Sequence, residues 1–78
     1  MKTEVEKFNK EIDGLVEMAI LSNNFDEVCG IHKKTTDLFE QIRFENDDDE
    51  GSELIKFKHA VNALDKIASR MYRLAEAA

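Results

Sequence analysis

The segment LIKFKHAVNALDKIASRMYRLA, residues 54–75, decides the fold. Its apolar residues recur at steps of three and four, the spacing that places side chains on one face of an α-helix. The repeat consists of Leu54, Phe57, Val61, Leu64, Ala68, Met71 and Ala75, widened by Ile67 and Leu74. This pattern predicts an amphipathic helix over residues 52–77.

The same spacing predicts two further helices, over residues 3–22 and 25–44. Asn24 precedes the second helix and is followed three residues later by Glu27, a capping-box pattern that satisfies backbone N–H groups at a helix start. The predicted apolar stripes are Val5, Phe8, Ile12, Leu15 and Ala19 in the first helix, and Phe25, Val28, Ile31, Thr35, Leu38 and Ile42 in the second.

An acidic run separates the second and third helices and predicts a loop over residues 45–51. Like charges repel one another, and Asp and Asn compete with helical hydrogen bonds. Because short connections usually make consecutive helices antiparallel, we expect one all-α domain over residues 1–78. It is either a small antiparallel three-helix bundle or a helical hairpin with an added helix.

Several features favour self-association. The chain has 78 residues and a single cysteine, so a thin core receives no disulfide support within the chain. The first helix also carries apolar residues on more than one side, and a helix that is apolar nearly all round must be buried nearly all round. We therefore predict a homo-oligomer with an interface formed by Val16, Met18, Ile20 and Leu21.

The composition argues against several classes of protein. No segment has the roughly 20 apolar residues that a membrane span needs, and acidic residues near the N-terminus interrupt any signal-peptide pattern, so we expect a cytoplasmic protein. A net charge of −6 disfavours nucleic-acid binding. A helix-turn-helix is also disfavoured, because Asp26 and Glu27 open the helix that would approach phosphates.

Residues that could carry chemistry are too few for a complete site. Cys29 and His32 share a helix face, but no third catalytic group accompanies them. One cysteine and two histidines do not make a structural zinc site. A calcium loop aligned on Gly51 has Phe57 where the bidentate carboxylate belongs. We predict no enzymatic activity, no metal and no cofactor.

The third helix also carries a mostly cationic stripe, consisting of His59, Asn62, Lys66, Arg70 and Arg73. This stripe is expected opposite the apolar one. Residues 53–78 hold five basic and three acidic side chains, whereas the rest of the chain is acidic. The stripe is either an ordinary solvated face or, together with Tyr72, a site for a small anionic ligand.

These patterns favour a non-enzymatic protein–protein interaction module, a small homo-oligomeric regulator or inhibitor of a partner protein. The partner would contact an apolar helix face that is rimmed with charge. The alternative is a protein that binds or sequesters a small anion such as a nucleotide. Its ligand-binding residues would be His59, Lys66, Arg70, Tyr72 and Arg73.

Overall fold

Three helices account for almost all of residues 2–42 and 50–77, which are the residues described by the computed structural model. They are α1 (Lys2–Leu21), α2 (Phe25–Glu40) and α3 (Glu50–Ala77). No strand occurs within the described residues. The predicted all-α class is therefore confirmed.

The helices form an elongated three-helix bundle of 47 × 18 × 15 Å. Helix α3 packs against both other helices, and α1 and α2 also contact each other. Asp13 contacts His59 and Ser22 contacts Arg70, so α1 and α3 run in the same direction. Helix α2 runs antiparallel to both, because a turn of only three residues separates it from α1.

The core is narrow and lies along the common axis of the three helices. Its fully buried large side chains are Ile12, Val28, Thr35 and Ile67. The hydroxyl of Thr35 is satisfied inside its own helix, because it donates a 2.9 Å hydrogen bond to the carbonyl oxygen of Ile31. The α1 and α2 stripes predicted from spacing mostly face this core, but Phe25 at the start of α2 is exposed.

The turn between α1 and α2 is held by side-chain hydrogen bonds. The Asn24 side chain accepts a 3.1 Å hydrogen bond from the backbone N–H of Glu27, as the predicted cap requires. A full capping box would also have a hydrogen bond from the Asn24 N–H to the Glu27 carboxylate. The Asn24 N–H donates instead to Ser22 Oγ at 3.1 Å. Ser22 therefore takes the position that the Glu27 carboxylate was expected to fill.

The helix ends that flank the predicted loop differ most from those expected, whereas the bounds of α1 differ by one residue. Helix α2 ends at Glu40, and its last turn tightens into i→i+3 hydrogen bonds, from Gln41 N–H to the Leu38 carbonyl and from Ile42 N–H to the Phe39 carbonyl. The acidic run that follows disfavours extending the negative end of the helix dipole. Of the predicted loop 45–51, the last two residues belong to α3 and the others lie outside the described residues.

Helix α3 is rotated relative to the stripe predicted from its largest apolar residues. Its buried residues are Ala60, Ala63 and Ile67, whereas Leu54 and Val61 are 46% and 41% exposed. Small side chains let the three helix axes approach closely, and larger ones would hold them apart. The predicted stripe therefore lies at the edge of the core and partly outside it.

Candidate functional site

The cationic stripe of α3 borders α1 at His59 and Arg70, whereas Asn62, Lys66 and Arg73 are exposed. Near its N-terminal end, the Nε2 atom of His59 lies 2.7 Å from Oδ1 of Asp13 on α1, where the ring N–H donates to the carboxylate. Near its C-terminal end, Arg70 reaches the end of α1. The stripe therefore helps to join two helices.

Arg70 caps the C-terminus of α1. Its Nη2 and Nε atoms donate to the Ser22 carbonyl oxygen at 2.9 and 3.3 Å, and Nη2 also donates to Oδ1 of Asn23 at 3.0 Å. The last carbonyls of a helix have no intrahelical partner and carry the negative end of its dipole, so a guanidinium is well placed there. Most of the hydrogen-bonding capacity of Arg70 is thus used within the chain.

The other candidate ligand-binding residues are not brought into a single pocket. Lys66, Tyr72 and Arg73 are exposed, and Tyr72 reaches 72%. Among the described residues, neither Lys66 nor Arg73 forms an ion pair within 4.0 Å. Of the five predicted ligand-binding residues, only His59 and Lys66 line the same groove.

This α1–α3 groove is an open depression of about 350 Å³. It is lined by Asp13, Val16, Glu17, Ile20, Leu21, His59, Asn62, Ala63 and Lys66. Apolar side chains from α1 form its wall, and carboxylates and the Lys66 ammonium lie at its rim. The two α1 carboxylates make it a poor site for a free anion and a better one for a surface of mixed charge.

The predicted α1 interface divides between two grooves. Val16, Ile20 and Leu21 line the α1–α3 groove, where Ile20 is 53% and Leu21 74% exposed. Val16 is half-buried and also packs against the core. Met18 is on the other side of α1 and lines a separate α1–α2 groove with Leu38. The four residues are therefore not one continuous patch.

A second apolar surface is formed by α3 and was not predicted as exposed. We call Leu54, Phe57, Val61, Ala68, Tyr72 and Ala75 the α3 outer face. The Phe57 ring packs against Phe39 of α2, with centroids 5.2 Å apart, while Leu54, Val61 and Tyr72 are exposed. The sequence pattern predicts most of these residues in the core, because the competing stripe through Ala60 and Ala63 has smaller side chains and gives a weaker hydrophobic signal.

Cys29 and His32 are both half-buried on α2. No hydrogen bond joins them in the described part of the chain, and no carboxylate contacts His32 there. The described residues also contain no group of three His, Cys, Asp or Glu side chains close enough to hold a metal ion. Cys29 and His32 therefore do not form a hydrogen-bonded nucleophile and base within the described residues.

None of the helices described above combines the length and the apolar character required to cross a membrane. Comparisons of the chain with protein-family models, with curated proteins and with solved structures find no match.

Proposed function

We propose that the chain is a non-enzymatic protein-binding module that self-associates and that regulates or inhibits a partner protein. The α1–α3 groove is the proposed contact with that partner. The observation that carries the proposal is the exposure of Ile20 and Leu21 on the groove wall, at 53% and 74%. Large apolar side chains grouped in a concave surface favour binding to another apolar surface.

The composition of the groove indicates what kind of segment would fit. Its wall of Val16 and Ile20 suits the apolar side of an amphipathic helix, whose anchors recur at three- and four-residue steps. The carboxylates of Asp13 and Glu17 lie on the α1 side, and the Lys66 ammonium lies on the α3 side. A partner helix with basic residues along one edge and an acidic residue along the other would match this rim.

A photo-crosslinking residue tests where the partner binds. Placed at position 20 in the groove, it should capture a discrete protein in cells. Placed at Ser69, an exposed α3 residue that lines neither groove, it should not. Equal capture from both positions would contradict the proposal.

The affinity for the captured protein tests the role of the groove directly. Ile20→Asp should weaken binding of the purified protein about 10- to 100-fold, because anchor residues dominate interface energetics. Lys33→Ala is the matched control, because it also lowers the net charge by one and Lys33 is exposed outside both grooves. An affinity that is unchanged in Ile20→Asp would exclude the groove as the binding surface.

Binding of a small anion is the second proposed function, and fewer observations support it. The observation in its favour is that Lys66 and Arg73 are exposed cations without an ion pair in the described residues. A nucleotide at millimolar concentration should then raise the Tm by mass action, and Lys66→Ala combined with Arg73→Ala should remove that shift. No shift with the wild-type chain would eliminate this function.

A further inference from the structure

Four residues of the α3 outer face belong to a repeat of seven positions. Leu54, Val61, Ala68 and Ala75 are seven residues apart, and Phe57, Leu64 and Met71 follow three residues after the first three of them. This is the a/d heptad pattern by which two helices pack side by side. The inner residues of α3, Ala60 and Ile67, are already covered by the chain's own helices.

The exposed residues of this repeat are not covered by another helix of the described part of the chain. Leu54 and Val61 of the repeat, and Tyr72 beside it, are exposed along α3, although α1 and α2 pack against a neighbouring side of the same helix. From Leu54 to Ala75, the repeat extends about 31 Å at 1.5 Å per residue. Helix α3 thus has two apolar sides. One side packs in the core of its own bundle, and the neighbouring side can pack against a helix of another molecule.

We propose that the α3 outer face is the self-association surface, and that two copies of this chain pair through antiparallel α3 helices. The inference rests on the proposed self-association and assigns it to α3 instead of the α1 residues predicted from sequence. In this arrangement Leu54 lies level with Met71 of the second copy, Phe57 with Ala68 and Val61 with Leu64. The largest residue of the repeat, Phe57, thereby meets one of the smallest.

Charge complementarity selects the antiparallel orientation. Lys58 and Asp65 flank the α3 outer face, are exposed and form no ion pair in the described part of the chain. In the antiparallel register, Lys58 lies next to Asp65 of the second copy, and the two-fold axis forms the same pair again. In a parallel pair, Lys58 would lie level with Lys58 and about 10 Å along the axis from Asp65.

The first experiment measures the dissociation constant of the dimer by sedimentation equilibrium. The wild-type chain should give twice its 9.0 kDa mass at high concentration. Val61→Asp should raise the dissociation constant at least about 100-fold, because it places two unpaired carboxylates inside the pairing surface. Ser69→Asp, which adds the same charge elsewhere on α3, should leave the constant unchanged. Helicity measured by circular dichroism verifies that each variant is folded.

A charge swap tests the orientation. Lys58→Asp and Asp65→Lys should each raise the dissociation constant about three- to tenfold, because each turns two attractive pairs into repulsive ones. The double variant carrying both changes should return the constant to near the wild-type value. A dimer that Val61→Asp disrupts but that the double variant does not restore would overturn the antiparallel register.

The remaining outcomes separate this inference from the proposed function. A dimer that survives Val61→Asp and dissociates with Ile20→Asp would overturn the α3 surface while leaving self-association in place. A chain that stays monomeric at every concentration would overturn both the α3 inference and self-association. Neither result would affect capture of another protein by the α1–α3 groove, which the crosslinking experiment measures separately.

Discussion

The two sides of α3 differ in how far their large apolar residues are buried. The inner side buries Ile67 completely, together with the small Ala60 and Ala63, whereas the outer side leaves Leu54 and Val61 46% and 41% exposed. Much of the stripe with the largest apolar residues therefore lies outside the core of the chain. Close approach of three helices favours alanine at positions 60 and 63, and Leu54 and Val61 remain on a surface that another molecule can cover. The predictions below test this division, from the largest expected effect to the smallest.

Truncation of a single large residue on each side should give very different losses of stability. Ile67 is fully buried, so Ile67→Ala should lower the free energy of unfolding by about 2–5 kcal/mol through lost burial and a residual cavity. Val61→Ala should lower it by less than about 1 kcal/mol, because Val61 is already 41% exposed. Denaturant unfolding at low protein concentration, where association contributes least, measures both. Similar losses would mean that α3 has no inner and outer side.

Enlarging an alanine should also destabilise the bundle more on the inner side of α3 than on the outer side. Ala60→Leu should destabilise the bundle by about 1–3 kcal/mol, because a longer side chain forces the closely packed helices apart. Ala75→Leu, at an exposed position of the same helix, should change stability by less than about 0.5 kcal/mol. The same unfolding measurement applies. If Ala60→Leu were tolerated as well as Ala75→Leu, the core would be looser than described.

Arginines three residues apart on α3 should also differ. Arg70→Ala removes the hydrogen bonds to Ser22 and Asn23 at the end of α1 and should cost about 1–2 kcal/mol. Arg73→Ala should cost less than about 0.5 kcal/mol, because Arg73 is exposed and no hydrogen bond of its side chain is found in the described residues. Equal costs would show that Arg70 does not cap α1.

Helix content could be read from the sequence because it depends on local periodicity. Steps of three and four located all three helices, and Asn24 correctly marked the start of α2. The end of α2 was placed four residues too far along, since apolar residues continue to Phe44 while the described helix stops at Glu40. A helix end depends on capping and on nearby charge as much as on apolar spacing.

The rotation of α3 could not be read from the sequence, because two apolar stripes compete on the same helix. One contains Leu54 and Val61, the other Ala60 and Ala63, and hydrophobicity alone favours the first. The choice depends on how closely α1 and α2 approach, which is a property of the assembled bundle. The division of Val16 and Met18 between two grooves has the same origin.

The role of Arg70 was also beyond local reasoning. Spacing places it within a polar stripe of α3. Its guanidinium complements the C-terminus of α1 at Ser22, which is 48 residues away in the chain. Pairing over such a distance requires the relative direction and register of α1 and α3, and neither is encoded in the helix that carries the arginine.

The most direct test of the central claim is how the Tm depends on protein concentration. If the α3 outer face joins two copies, the Tm of the wild-type chain should rise with concentration, because association stabilises only the folded state. The Tm of Val61→Asp should stay constant over the same range. A wild-type Tm that does not depend on concentration, or a rise equally large in Val61→Asp, would contradict the assignment of this face as an interface.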